Sequence, residues 1–158
     1  MNKCSKLIAL FCVFALSIWI SGCENKKKSS KSATGSVAPF VVPADAGEYQ
    51  TLPGGLKYRI IKEGSGNMPK ITDKVTVHYR GTFPDGREFD SSYSRGVPAT
   101  FPVNGVITGW TQALQKMKVG GQWQLIIPPE LGYGSAGAGG AIPPNATLHF
   151  DVELIKIN

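Results

Sequence analysis

The chain has 158 residues, enough for one folded domain and short for two. Its formal charge of +6 is unevenly placed: six lysines against two acids before Glu48, then eleven basic against nine acidic residues. A nucleic-acid face needs Lys and Arg clustered on the folded part. The basic character here belongs to the N-terminal region, which argues against nucleic acid as a partner.

Residues 1–22 read as a signal peptide. Lys3 and Lys6 form a short positive region, and Leu7 to Ile20 is mostly apolar. That run is short for a membrane span and right for a secretory signal. It ends in Ile20-Ser21-Gly22-Cys23. This resembles the bacterial lipobox, an aliphatic residue and two small ones before a Cys that is lipidated and becomes the mature N-terminus. The plainer alternative is an ordinary signal peptide cut near Gly22. The three cysteines are Cys4, Cys12 and Cys23. The first two leave with the signal and the third is acylated, so the mature domain has no thiol to oxidise.

Residues 23–47 follow as a lipidated flexible linker. It holds Lys26-Lys27-Lys28, then Ser, Ala, Thr, Gly and Pro without helical or strand period. As a flexible coil it spans about 25–30 Å root-mean-square. The lysines beside the anchor suit anionic headgroups, or simply keep the linker soluble.

Residues 48–158 carry the fold. Leu56 to Ile61 reads as a strand. From Val75, residues Val75, Val77, Tyr79, Gly81 and Phe83 alternate with Thr76, His78, Arg80 and Thr82, the period of a half-buried strand. Pro84-Asp85-Gly86 makes a turn, and Arg87 to Ser91 returns antiparallel. This hairpin gathers Tyr79, Phe89 and Asp90. Read alone, the two rings are core and Asp90 a solvated strand end. Thr100 to Val103 is a short strand. Trp110, Ala113, Leu114 and Met117 recur at helical spacing. Thr108 is the expected N-cap, Lys116 and Lys118 sit at the negative end, and Gly120-Gly121 is the expected stop. Gln122 to Ile127 is a strand closed by Pro128-Pro129. A Gly/Ala-rich loop runs from Gly132 to Ala141. In the last strand Leu148, Phe150, Val152 and Leu154 face one way. About five strands with one helix make an α+β class with an antiparallel sheet wrapped on that helix, since a single helix cannot serve repeated parallel crossovers.

Other chemistries find no support. The Gly132–Gly140 loop lacks the Lys-Ser/Thr of a phosphate-binding loop. His78 and His149 fall on the polar sides of their strands, without Cys partners or metal-ligand spacing, and read as surface residues. No G-x-S-x-G nucleophile elbow occurs. No metal or cofactor is expected.

Four motifs in order, VHYRGTFPDGREFDSS, GVITGW, IPPELGYG and GGAIPPNATLHFDVELI, resemble the FKBP family of peptidyl-prolyl cis/trans isomerases. The resemblance covers Leu52 to Asn158. GVPATF with GWTQAL is similar to the secreted macrophage infectivity potentiator (Mip) branch. The family implies a curled antiparallel sheet around a short helix, with an apolar pocket between them. Carried over by motif, Tyr79, Phe89, Arg95, Phe101, Val106, Ile107, Trp110, Ile142 and Phe150 bind substrate, and Asp90 and Tyr133 are catalytic. Within that set Ile107 offers its backbone N–H, Trp110 is the floor, and Arg95 pairs with Asp90. Simple alternation puts Phe89 inward and Asp90 outward, so both lining one pocket requires a local irregularity. Two departures concern the rim: Ala99 stands where many members have Phe, and Ala138 where many have His.

The resemblance implies an isomerase acting on X-Pro bonds of extracytoplasmic proteins by desolvation in an aromatic pocket. Proline-containing peptides and unfolded clients are its partners, and macrolides such as rapamycin its pocket ligands. A lipid anchor holds it to a bacterial membrane in the cell envelope. The Mip-type dimerisation helix has no counterpart in the linker, so a monomer is expected. The alternative is a surface-exposed binding or chaperone module on the same fold, with isomerase activity secondary.

Overall fold

The computed structural model describes Ala44 and residues 46–158. The expected signal peptide, the lipidation of Cys23 and most of the linker lie outside the described residues.

Among the described residues, seven strands and two α-helices follow in chain order: β1 (Gln50–Thr51), β2 (Lys57–Lys62), β3 (Lys74–Thr82), β4 (Glu88–Ser91), α1 (Ser92–Arg95), β5 (Ala99–Pro102), α2 (Thr108–Leu114), β6 (Gln122–Ile127) and β7 (Leu148–Ile157). The strands form one antiparallel sheet in the order β1-β2-β6-β7-β3-β4, and β5 also pairs with β3. One core is shared by the sheet and α2. It holds Val75, Val77 and Tyr79 of β3, Trp123, Leu125 and Ile127 of β6, and Leu148, Phe150, Val152 and Leu154 of β7. Against them lie Trp110, Ala113 and Leu114 of α2. The β3 and β7 positions follow the period of two and the α2 positions the helical period that the sequence shows, and Trp123, Leu125 and Ile127 alternate in the same way on β6.

The β3–β4 turn is built as its residues dictate. The Gly86 N–H donates to Phe83 O at 2.9 Å, and the Phe83 N–H to Arg87 O at 2.9 Å. Asp85 Oδ1 accepts from the Arg87 N–H at 2.9 Å. Gly86 has φ +84°, the left-handed conformation that closes a three-residue hairpin loop.

The helix departs from expectation at both ends. Its N-cap is Ile107, with φ −58° and ψ 150° and no side-chain cap, so Thr108 is already helical. The helix stops at Leu114, not at Gly120. The Lys116 and Met117 N–H groups both donate to Ala113 O, at 2.9 and 3.0 Å, tightening the chain into a turn. Met117 is fully buried without being helical. Its hydrophobic spacing therefore survives the end of the helix that the spacing implied. Lys116 and Lys118 lie beyond the last turn. Gly120, at φ +87°, donates to Leu154 O at 2.7 Å and leads the chain into β6. Neither β1, two residues long, nor α1, four residues long, is long enough to show a period in the sequence.

Candidate active site

Between α2 and the concave side of the sheet lies a cavity of about 420 Å³, within the size range of small-molecule sites. Tyr79, Phe89, Asp90, Phe101, Gly105, Val106, Ile107, Trp110, Tyr133 and Phe150 line it. Nine of these are among the eleven pocket residues carried over by motif.

Trp110 is the floor, and three rings stand against it edge-on. Ring-centre distances are 5.3 Å to Tyr79, 5.3 Å to Phe150 and 6.1 Å to Phe101, with interplanar angles of 86°, 82° and 90°. Phe89 meets Phe150 at 5.6 Å and 90°. Edge-to-face packing is the arrangement ring quadrupoles favour. The Trp110 indole N–H is buried and has no hydrogen-bond partner among the described residues.

The irregularity that brings Phe89 and Asp90 to one side is a bulge. Gly81 pairs with Asp90, but Thr82 pairs with Glu88, so Phe89 is the extra residue on β4. A bulge re-aims side chains that alternation would separate. Gly81 makes room for it. A Cβ there would sit 2.6 Å from Phe89 Cζ and 2.9 Å from Phe150 Cε1. Gly81 is therefore part of the wall by having no side chain. Its signal in the sequence was a glycine on the buried face of a strand, which marks close approach.

At one side of the cavity stands a polar cluster. The Tyr79 hydroxyl donates to Asp90 Oδ2, and Arg95 Nη1 donates to Asp90 Oδ1. Arg95 Nη2 donates to the Tyr79 hydroxyl at 2.9 Å. Burial pushes the Asp90 carboxyl up, but the bonds from Tyr79 and Arg95 outweigh it and hold it below the usual carboxylate range. The Tyr79 hydroxyl is raised, by burial first and then by its bond to Asp90. Arg95 is held still more firmly charged by its bonds to Tyr79 and Asp90.

Two carried-over residues are not among those lining the cavity. Arg95 pairs with Asp90 as expected and also bonds the Tyr79 hydroxyl, without joining the lining itself. Ile142 is buried and is not among the lining residues, held by paired bonds with Ala138: Ala138 N–H to Ile142 O at 2.9 Å, and Ile142 N–H to Ala138 O at 3.0 Å. Gly105 joins the wall instead. Tyr133 lines the cavity and is 40% exposed. The Ile107 N–H makes no hydrogen bond among the described residues. His149 does not reach this cavity; it borders a separate small one with Thr82, Gln124 and Asp151. Both His78 and His149 are half-buried, less open than the surface placement read from alternation.

A family model for FKBP-type peptidyl-prolyl cis-trans isomerase matches residues 66–155. The chain belongs to the FKBP family. It is 57% identical over 103 residues to the FKBP-type 22 kDa peptidyl-prolyl cis-trans isomerase of Escherichia coli, covering 65% of this chain and 50% of that protein. It is 49% identical over 108 residues to the peptidyl-prolyl cis-trans isomerase Mip of Coxiella burnetii, covering 68% and 47%. The crystal structure of AtFKBP13 superposes with a TM-score of 0.67 at 39% identity, over 70% of this chain and 99% of that one. The FKBP-like fold expected from the motifs is thus the fold found. This FKBP chain spans about half the length of the curated relatives it matches. Mip is one relative among several at similar identity, so the similarity extends beyond that branch.

Proposed function

We propose that this FKBP domain accelerates cis/trans rotation of X-Pro peptide bonds. The carrying observation is the cavity itself, lined by the six aromatic rings of Tyr79, Phe89, Phe101, Trp110, Tyr133 and Phe150, with the Tyr79–Asp90–Arg95 polar cluster at one side. Amide rotation faces a barrier of about 18–20 kcal/mol, and X-Pro isomerisation takes tens to hundreds of seconds. An acceleration on the order of 10⁵ requires about 7 kcal/mol. The twisted transition state has lost amide resonance and with it part of the amide dipole. An apolar enclosure disfavours the planar polar amide more than the twisted one, which is selective stabilisation. The Ile107 N–H and the Tyr133 hydroxyl, both on lining residues, hold substrate carbonyls. Asp90, kept ionised by Tyr79 and Arg95, orients the polar side. The substrates are proline-containing segments of unfolded proteins, and rapamycin-type macrolides fit the same cavity. The deciding experiment is a prolyl-peptide assay without coupled protease; a folded protein that leaves the rate at its uncatalysed value refutes the reading.

The same reading places the protein in the cell envelope on a lipid attached to Cys23. The support is the Ile20-Ser21-Gly22-Cys23 sequence after the apolar run. Among the described residues no helix is long and apolar enough to cross a membrane. Cys23→Ser is expected to release the protein from the detergent phase in which the wild type partitions.

A further inference from the structure

On its open edge, β3 has two partners. Lys74 to Val77 pair with β5, and Arg80 to Thr82 pair with β4. His78 and Tyr79 fall in the gap, where the edge backbone has no strand to bond. Ser92, the first residue of α1 and fully buried, fills it. Its hydroxyl oxygen accepts from the Tyr79 N–H at 2.7 Å and donates to the Tyr79 C=O at 3.1 Å. His78 Nδ1 lies 2.9 Å from the same oxygen. The His78 ring stacks on Tyr93, the next residue of α1, at 4.7 Å and 15°. Tyr93 in turn donates to Glu153 at 3.4 Å, and Glu153 is the cross-strand partner of His78 on β7.

A hydroxyl has one proton and two lone pairs. Ser92 uses the proton on the Tyr79 carbonyl and one lone pair on the Tyr79 N–H. Its remaining lone pair faces His78, which must then donate. We infer that His78 carries a proton on Nδ1 and, with Ser92, latches α1 against the back of Tyr79, making both positioning residues for the Tyr79–Asp90–Arg95 cluster. The opposite tautomer would draw the hydroxyl proton to Nδ1 and leave a buried carbonyl unpaired, which is costly. The latch holds the cluster from two directions. Tyr79 is fixed through its own backbone. Arg95 is fixed because it lies three residues after Ser92 in the same turn, whose start Ser91 caps by accepting from the Ser94 N–H at 3.2 Å. His78 touches neither the cavity nor Asp90, so it acts only through Ser92 and α1. An Nδ1–H is present in the neutral tautomer assigned here and in the doubly protonated ring, so the latch is the same in both charge states.

The effect on turnover rests on the isomerase reading; the tautomer does not. Nitrogen-15 NMR of the wild-type imidazole is expected to show the neutral form of His78 protonated at Nδ1, and a neutral ring protonated at Nε2 overturns the latch. His78→Phe keeps a stacking ring and removes the donor. It is expected to lose roughly three- to tenfold in kcat/KM, mainly in kcat. His78→Asn restores most of that loss by returning an N–H near the Nδ1 position. In an Asp90→Ala background, His78→Phe is expected to cost nothing further, since the cluster it positions is already broken. Equal losses in both backgrounds would mark His78 as merely structural and overturn the proposal. Should the wild type lack isomerase activity, the functional reading fails, and the tautomer alone decides the latch. The tautomer also decides if His78→Phe does not fold.

Discussion

The two sides of this sheet are built by different rules. Strands β6 and β7 pair residue for residue from Gln122–Glu153 to Ile127–Leu148 without a shift, and of their side chains only Phe150 lines the cavity. The opposite edge is broken repeatedly. Phe89 bulges out of β4, α1 interrupts the edge between β4 and β5, and a short 3-10 turn at Val103–Gly105 precedes Ile107. That edge and the segment after it supply Phe89, Asp90, Phe101, Gly105, Val106, Ile107 and Trp110 to the cavity, and Arg95 behind it. Regular pairing builds the wall that everything packs against. Interrupted pairing aims side chains into a common space, because each break frees a residue from strict alternation.

If that division holds, the largest loss comes from the point where both halves meet. Trp110 contacts Tyr79 and Phe101 from the broken edge and Phe150 from the regular side. Trp110→Ala removes a ring that is 4% exposed. It is expected to cost about 3–5 kcal/mol of stability, read from denaturant unfolding, and to abolish most activity. A variant as stable as the wild type would mean that the floor is not a shared support. Gly81→Ala tests the bulge directly. The added methyl meets Phe89 and Phe150 below 3 Å, so overpacking is expected to cost about 1–3 kcal/mol. Displacement of Phe89 should lower kcat/KM as well. Full activity in a folded Gly81→Ala protein would show that Phe89 has room to spare.

The same division explains what the sequence disclosed. Strands β6 and β7 were readable to the residue or nearly so, because one buried face imposes period two over six to ten positions. On the broken edge the residue types were visible, but not their directions. Alternation sent Asp90 away from Phe89, and the one local mark of the bulge is Gly81 on the facing strand, which signals close approach without saying which residue of β4 is extra. The four residues of α1 are too few for a helical period, and Ser92 looks like any serine in a polar run. Motif resemblance named most of the cavity residues, along with Ile142, which is buried but is not among the lining residues. It also passed over Gly81 and Gly105, whose contribution is the side chain they lack.

Smaller effects separate the polar margin from the apolar enclosure. Asp90→Ala leaves the core rings in place and removes the acceptor of both Tyr79 and Arg95. It is expected to fold and to lose about tenfold or more in kcat/KM, the scale of hydrogen bonds to a charged group. Tyr133→Phe deletes one hydroxyl at the rim and is expected to lose only a few-fold, the scale of a neutral hydrogen bond, with unfolding unchanged. An Asp90→Ala variant with wild-type efficiency would leave that carboxylate a structural ion pair outside the catalytic set.

The smallest effect expected is that of pH, and it bears on the mechanism most directly. Bond rotation transfers no proton, whereas general acid–base catalysis requires a group poised near the working pH. Burial favours the neutral form of Asp90, but the bonds from Tyr79 and Arg95 prevail and hold its carboxyl below the ordinary range. Its ionised form is therefore complete well below neutrality. Burial and the Asp90 bond hold the Tyr79 hydroxyl above its ordinary value, so it stays protonated well above neutrality. The sign follows for stability too. A depressed carboxylate contributes fully above its unfolded value, and that contribution is lost only as pH falls through the folded one. His78 keeps an Nδ1–H in both charge states of the latch, and His149 lies on another cavity. Catalytic efficiency is thus expected to be flat between about pH 6 and 9 and to decline only in acid, below the ordinary carboxylate range, where the depressed Asp90 takes up a proton. The measurement is kcat/KM on a prolyl peptide across that range without a coupled protease, with circular dichroism at each pH to show that the protein remains folded. A bell-shaped profile with a limb near neutrality would bring a titrating group into the rate-limiting step, and the aromatic enclosure would then account for only part of the acceleration.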